Sequence, residues 1–373
     1  MERIRLSPRR DYKERINALG FQFNDDYWLE NAYYAFSTYE IEEIEKASNQ
    51  CYQMCVEVVE HIIKNNLFHK MGIPDYIVPA LIESWERDDL SLYGRFDFAM
   101  VGGIPKMLEF NADTPTTLFE AAIVQWDWKE QLFPDHDQFN NLHEALITSW
   151  KEIAAHYKTE TIHFTCVSDC LEDFSTTSYL VDTAMQAGIN TSLFDISDLR
   201  LANENNRFLT PNGDESVDFL FKLYPFEWMF EEEFGKYIPT CQTLFIEPLW
   251  KAIMSNKYIL VLLSELFPYS KYILKAWSDP NPLYSSYCKK PIFSREGSNV
   301  SLVKWNETIE ENTGDYGAEG YIYQELVDIQ SFDGMHPIIG SWIIGGESVG
   351  IGIRESKSRI TNNHSLFAPH IIR

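Results

Sequence analysis

Four residues of this 373-residue chain have the types and spacing to do chemistry together: Arg95, Asp97, Glu109 and Asn111. Residues 92–100 alternate apolar with polar, Val101-Gly102-Gly103-Ile104-Pro105 can turn, and residues 106–111 return, the pattern of a β-hairpin. Side chains of a strand alternate faces, so Phe96, Phe98, Met100, Leu108 and Phe110 belong together on the buried side. This predicts Phe96 opposite Phe110, Phe98 opposite Leu108, and a three-residue loop at 102–104, where glycine tolerates positive φ. The polar side follows from the same register: Arg95 opposite Asn111, and Asp97 opposite Glu109. Directly opposed Cβ atoms lie roughly 5 Å apart, so two carboxylates there repel each other unless a cation sits between them. A hard divalent ion such as Mg²⁺ takes oxygen ligands and can complete its shell with phosphate. Asp97, Glu109 and Asn111 offer three such ligands, and Arg95 beside them suits a phosphoryl group in transfer. The same spacing also describes an exposed hairpin face with solvated charges and an Arg95–Asp97 pair.

Three further segments carry candidate nucleotide contacts. Residues 288–300 read as a strand, a small-residue loop and a second strand, with Lys290 just before the loop. Ser294, Gly297 and Ser298 could bring backbone N–H groups close to phosphate oxygens. No GxxxxGK[ST] loop is present. Lys257 opens an apolar run and could reach phosphate or adenine. The strand-like stretch 321–326 holds Gln324 and Glu325, suited to adenine or ribose. A last strand and polar loop, 350–356 and 359–363, places Arg354 where it could meet a substrate carboxylate. Each segment taken alone also reads as plain structure: a hairpin with a surface lysine, a helix-surface lysine, an ordinary strand, or an ion pair of Arg354 with Glu355.

Several elements must position these groups. A helix is predicted over 39–66, opened by a capping box of Ser37 and Glu40 and striped by Ile41, Ile44, Ala47, Cys51, Cys55, Val58, Val59 and Ile62. Further helices are expected over 77–86, 117–130 and 247–268. Strand 162–167, helix 175–186 and strand 191–196 form a βαβ unit and hence parallel sheet. Another strand is expected at 219–224, and the chain is strand-rich after 287. The net charge of -25 argues against nucleic acid or an anionic membrane as partner and suits a cationic substrate such as a polyamine. Glu231, Glu232 and Glu233 read as solvated surface. No apolar stretch is long enough to span a bilayer. Residues 1–12 are arginine-rich without an apolar core, unlike a secretory signal. Six scattered cysteines with no CxxC pair indicate a reduced, cytoplasmic protein.

Taken together, three segments resemble the glutathionylspermidine synthase family: Gly94-Arg95-Phe96-Asp97, Leu108-Glu109-Phe110-Asn111-Ala112-Asp113-Thr114-Pro115-Thr116, and the run from Lys290 through Gly297 to Val300. The match extends through Glu247-Pro248-Leu249-Trp250 and Gly340-Ser341-Trp342 and covers nearly the whole chain, most like the stand-alone bacterial acid–amine ligases of the family. The resemblance implies an α/β (α+β) ATP-grasp-like synthetase of several lobes. It implies one unit over 1–373, with the metal and phosphate hairpin in 90–130, a substrate lobe in 155–240 and a nucleotide lid in 245–330. It further implies a carbon–nitrogen ligase acting on a small-molecule acid and amine, with ATP and two Mg²⁺ ions as cofactors. The magnesium ligands would fall on Asp97, Glu109 and Asn111, and the transition-state arginine on Arg95. ATP contacts would fall on Arg95, Phe96, Asp97, Lys257, Lys290, Gly297, Gln324 and the backbone near Ile360. Thr114 and Thr116 stand where glutathione-using members carry serines, and Glu172 and Asp173 stand near the family's peptide-amine contacts. The bifunctional members carry an amidase domain ahead of the synthetase part, with which this chain begins. A kinase, an ATPase or a non-catalytic nucleotide-binding protein could use the same ATP site. No GxSxG elbow or strand-borne GxGxxG supports a hydrolase or dehydrogenase.

Overall fold

The computed structural model describes residues 1–373 except 22–26, 203–205, 282 and 363–364. Asn363, at the end of the expected C-terminal polar loop, lies outside the described residues.

A five-stranded antiparallel sheet carries the hairpin. Its order is Leu366–Ala368, Glu347–Ser356, His336–Ile344, Tyr93–Val101 and Ile104–Asn111. The helix Thr38–Asn65 packs on one face, and its capping box is formed as expected: Ser37 accepts from the Glu40 N–H while Glu40 accepts from the Ser37 N–H. Ile44, Cys51, Cys55, Val58 and Val59 on its inner stripe are fully buried, so the two cysteines are core rather than ligands. Phe96 and Phe110 stack between helix and sheet at 3.9 Å between ring centroids. Truncating a buried phenylalanine of this kind costs about 3–5 kcal/mol, so the apolar side of the hairpin fixes the polar side.

The opposite face is covered by helix Leu142–Tyr157 and by the segment that follows the hairpin. No helix at 142–157 was anticipated, although Leu142, Leu146, Trp150 and Ile153 make a buried stripe at helical spacing. The expected helix 117–130 is a π-helical turn, Glu120–Val124, running into the α-helix Gln125–Leu132. The expected helix 247–268 is two short ones, Lys251–Met254 and Ile259–Leu266. The helix at 77–86 is present as Val78–Glu86.

The βαβ unit is present as Thr161–Cys166, Leu171–Gln186 and Asn190–Asp195. It belongs to a parallel four-stranded sheet ordered Leu244–Ile246, Phe219–Leu223, Thr161–Cys166 and Asn190–Asp195. A third, antiparallel sheet is ordered Ala276–Trp277, Tyr321–Glu325, Tyr287–Pro291, Ser301–Lys304 and Glu307–Glu311. Strands from both chain ends, Glu2–Arg5 and His370–Ile372, flank Ala32–Phe36. Among the described residues no helix is long and apolar enough to cross a membrane.

Candidate active site

The hairpin register holds where the polar residues lie: Arg95 pairs with Asn111, Phe96 with Phe110 and Asp97 with Glu109. It then slips. A β-bulge between Asp97 and Phe98 sets Phe98 opposite Met107, and the turn is the two residues Gly102 and Gly103, both at positive φ. The expected Phe98–Leu108 pair and three-residue loop are therefore corrected. The physical cause is the extra residue in the return strand, which releases Leu108 from the core side. Leu108 then lines the same cleft as Asp97 and Glu109, and its carbonyl accepts from Lys290 Nζ at 2.9 Å.

The charges on this face are compensated within the protein. Asp97 receives Arg95 Nε at 2.8 Å and Arg95 Nη2 at 3.3 Å. It also receives Arg354 Nη2 at 2.8 Å. Glu109 faces Lys257 Nζ at 3.3 Å. The two opposed carboxylates thus do not require a metal for charge balance, and that part of the expectation is corrected. Burial pushes the Glu109 carboxyl up, but Lys257, Lys290, Arg354 and Arg95 more than reverse this and hold it at about 2, so it stays ionised at working pH. Arg354 does not pair with Glu355. Neighbours in a strand face opposite ways, and Glu355 takes Arg3 at 2.7 Å on the far side.

The third sheet lies against this face and closes a cleft holding about 740 Å³ of empty space, part of it open to solvent. Asp97, Lys290, Gly297, Gln324 and Ile360 line it. Lys290 and Lys257 are both buried rather than surface lysines. Lys290 Nζ donates to Gln324 Oε1 at 2.8 Å, and Gln324 Nε2 donates to the Met107 carbonyl at 3.1 Å, which seats the third sheet on the hairpin. Lys257 Nζ donates to the Ser294 carbonyl at 2.6 Å. Gly297 has φ +69°, and a Cβ there would fall 2.6 Å from the Ile360 side chain and the Thr361 carbonyl, so glycine is needed for the loop to approach. Phe96 is fully buried on the apolar side, and its side chain does not reach the cleft.

A second cavity, with about 1100 Å³ of empty space, adjoins the first and shares Glu109, Gly297 and Thr361 with it. Thr114, Thr116, Glu172, Asp173 and Arg354 all line it, together with Arg95 and Asn111. The scattered candidates from the hairpin, the following loop, the parallel-sheet region and the C-terminal strand therefore converge on one space. Burial, with Glu172 nearby, lifts the Asp173 carboxyl to about 6. Sequence reasoning did not select Trp228, Tyr224 or Arg295, which also line this cavity. Arg295 Nη2 donates to the Thr114 carbonyl at 3.3 Å and Nη1 lies 3.9 Å from Glu227. Its place one residue after Ser294, in the small-residue loop, was the available signal. Trp228 and Tyr224 carried none.

Among the described residues no group of three or more His, Cys, Asp and Glu side chains is placed to hold a metal. The hairpin set differs in kind, being two carboxylates and a carboxamide.

The chain is similar to proteins of known sequence over its full length. It is 37% identical over 390 residues to a Haemophilus influenzae protein named "Putative acid–amine ligase", covering 99% of each. It is 30% identical over 331 residues to trypanothione synthetase of Crithidia fasciculata, covering 79% of this chain and 49% of that protein, so it spans about half the length of that relative. The solved structure of a glutathione synthetase-like effector from Globodera pallida superposes with a TM-score of 0.58 at 10% identity, over 97% of this chain and 96% of the other, a likeness of fold. The family model described as glutathionylspermidine synthase preATP-grasp matches residues 3–373, and the chain belongs to that family.

Proposed function

We propose that this protein is an ATP-dependent carboxylate–amine ligase that forms an amide bond through an acylphosphate. One observation carries the reading. A cleft lined by Lys290, with Lys257 held against its Glu109 and Ser294, and a cavity lined by Thr114, Thr116, Glu172 and Asp173 meet at Glu109, Gly297 and Thr361, so two reactants can face each other there. The name of the Haemophilus influenzae relative points to the same reaction class. The acid is peptide-like or glutathione-like, and the amine is a polyamine, in keeping with the acidic residues of the second cavity and the net charge of -25.

ATP lies in the first cleft, its phosphates on Lys257, Lys290 and the loop at Gly297, its base near Gln324 and the backbone at Ile360. Asp97, Glu109 and Asn111 would hold Mg²⁺, and two ions would fit the chemistry of phosphoryl transfer. The residues suit the group: Glu109 stays ionised. The Asn111 Nδ2 is buried without a hydrogen-bond partner. Turning that amide over would bring its oxygen to the place of the unpartnered nitrogen, where a cation would satisfy it. When bound, the ion neutralises charge on the transferring phosphoryl group and orients it.

The substrate carboxylate attacks the γ-phosphorus, and ADP departs with the electrons of the broken P–O bond. The amine, as its neutral form, then attacks the acyl carbon, the C–O bond to phosphate breaks, and the nitrogen gives up a proton as inorganic phosphate leaves and the amide forms. Arg95 and the two lysines offset charge in the first step. Closure of the third sheet keeps water from the acylphosphate.

The test is ADP release with amino acids, short peptides and polyamines supplied singly and in pairs. A ligase releases ADP with a matched pair and yields an amide. A kinase yields a stable phosphorylated acid with no amine present. No ADP from any pair would leave only nucleotide binding and defeat the proposal.

A further inference from the structure

We propose that Thr117 is a positioning residue for Arg95, an inference that rests on the ligase reading above. Thr117 has φ +69° and is buried. A β-branched residue avoids this left-handed region, and strain of this sort persists where the surroundings impose it, often beside reacting groups. The surroundings here are identifiable. On one side, the Asp113 carboxylate is anchored by Lys222 Nζ and by the Phe226 N–H at 2.9 Å, with Lys222 fully buried over the Phe226 ring. On the other, the Thr117 carbonyl accepts from the Ala121 N–H at 3.3 Å and opens the helical turn that runs into the π-helix Glu120–Val124. The chain from Asp113 to Ala121 is thus tied at both ends, and Thr117 takes up the bend.

The bend has one evident product. It turns the Thr116 carbonyl and the Thr117 hydroxyl toward the same nitrogen, Arg95 Nη1, at 2.7 and 3.1 Å. A threonine at the start of a helix ordinarily spends its hydroxyl on the helix's own free N–H groups, whereas this one accepts from Arg95. A guanidinium has five N–H donors in a rigid fork. Asp97 takes Nε–H and one Nη2–H, and the Thr116–Thr117 pair takes both on Nη1. Among the described residues this leaves one Nη2–H uncommitted, so the fork is fixed in its plane with a single donor to offer. Gly340 completes the seat, because a Cβ there would lie 2.9 Å from Arg95 Cδ. Thr117 sets where the charge of Arg95 points, and takes no part in holding ATP.

The test compares Thr117→Val, which removes the hydroxyl, with Thr117→Ser, which keeps it, and with Thr117→Ala as a second hydroxyl-less variant should the valine not fold. With a matched acid and amine, Thr117→Val and Thr117→Ala should lose about tenfold in kcat with KM for ATP within about twofold, because misaiming a charge costs turnover rather than nucleotide binding. Thr117→Ser should stay within about twofold of the parent. Wild-type kcat in the valine and alanine variants, an equal loss in the serine variant, or a proportional rise in KM for ATP would each overturn the inference. A readout that needs no turnover accompanies it. The Arg95 guanidinium protons, followed by ¹⁵N NMR, should exchange faster with water in the valine variant and slowly in the serine variant, and equal rates would overturn it too. If the parent turns over no pair at all, the ligase reading fails, and the exchange rates alone decide the role of Thr117.

Discussion

The two adjoining cavities handle carboxylates in opposite ways. In the first cleft the two hairpin acids have cations: Asp97 holds Arg95 and Arg354, and Glu109 faces Lys257. Its Glu109 carboxyl is held at about 2. In the neighbouring cavity Glu172 and Asp173 share the space with Arg295 and Arg354, of which Arg354 pairs with Asp97 and Arg295 lies against Glu227. The Asp173 carboxyl rises to about 6, and burial also raises that of Glu227, which lies against Arg295. One side therefore holds its carboxylates against fixed cations. The other holds Asp173, whose carboxyl burial and Glu172 push up, and under the proposed ligase reading this difference favours the second cavity for the amine.

The comparison is broken most directly on the cleft side. Arg95→Ala and Glu109→Ala should each abolish ATP turnover, a loss of at least about 10²-fold, while circular dichroism and the thermal midpoint show a folded protein. Near wild-type turnover in either variant would remove the cleft from the chemistry. Lys290→Met comes next: KM for ATP should rise roughly tenfold, since an ammonium is lost from the phosphate side and the tie to Gln324 and Leu108 goes with it. On the other side, Asp173→Asn should raise KM for a cationic amine several-fold, about 1 kcal/mol for one charge partner, and leave KM for ATP unchanged. The pH dependence sharpens this. Below about 6 the Asp173 carboxyl takes up a proton and loses its attraction for a cation, so KM for the amine should climb as pH falls from about 7 to about 5. In Asp173→Asn that climb should vanish. The smallest effect is on stability. A carboxyl with a raised folded-state pKa favours the fold below its ordinary value near 4, and that contribution is lost as pH rises through about 6. Asp173→Asn should therefore raise the thermal midpoint by roughly 1–3 °C at pH 8 and leave it unchanged at pH 4.

What could be read beforehand followed the range of the interaction. The pairing of Arg95 with Asn111 and of Asp97 with Glu109 was legible because alternation and a Gly-Gly turn are local. So was the capping box at Ser37. The bulge at Leu108 was not, because one inserted residue leaves the apolar count almost intact while shifting every partner beyond it. The Arg354–Asp97 contact needs the order of the sheet: Gly340 pairs with both Asp97 and Gly352, which brings Arg354 alongside. No short-range pattern encodes that order. The second cavity was legible only in pieces, since Thr114, Asp173 and Arg354 come from separate elements, and Trp228 looks like any surface tryptophan until the third sheet is in place.

The place of Tyr93–Val101 in its sheet also governs how the protein is made. Its neighbour on the inner side, His336–Ile344, lies late in the chain. On a ribosome adding about 5–20 residues per second, the hairpin waits tens of seconds for that partner to be synthesised. During that wait one edge of an apolar strand bearing Phe96 and Phe98 stands open, a template for pairing with other nascent chains. Yield in cells should therefore depend on translation speed and chaperone supply more steeply than the finished protein's resistance to heat would suggest.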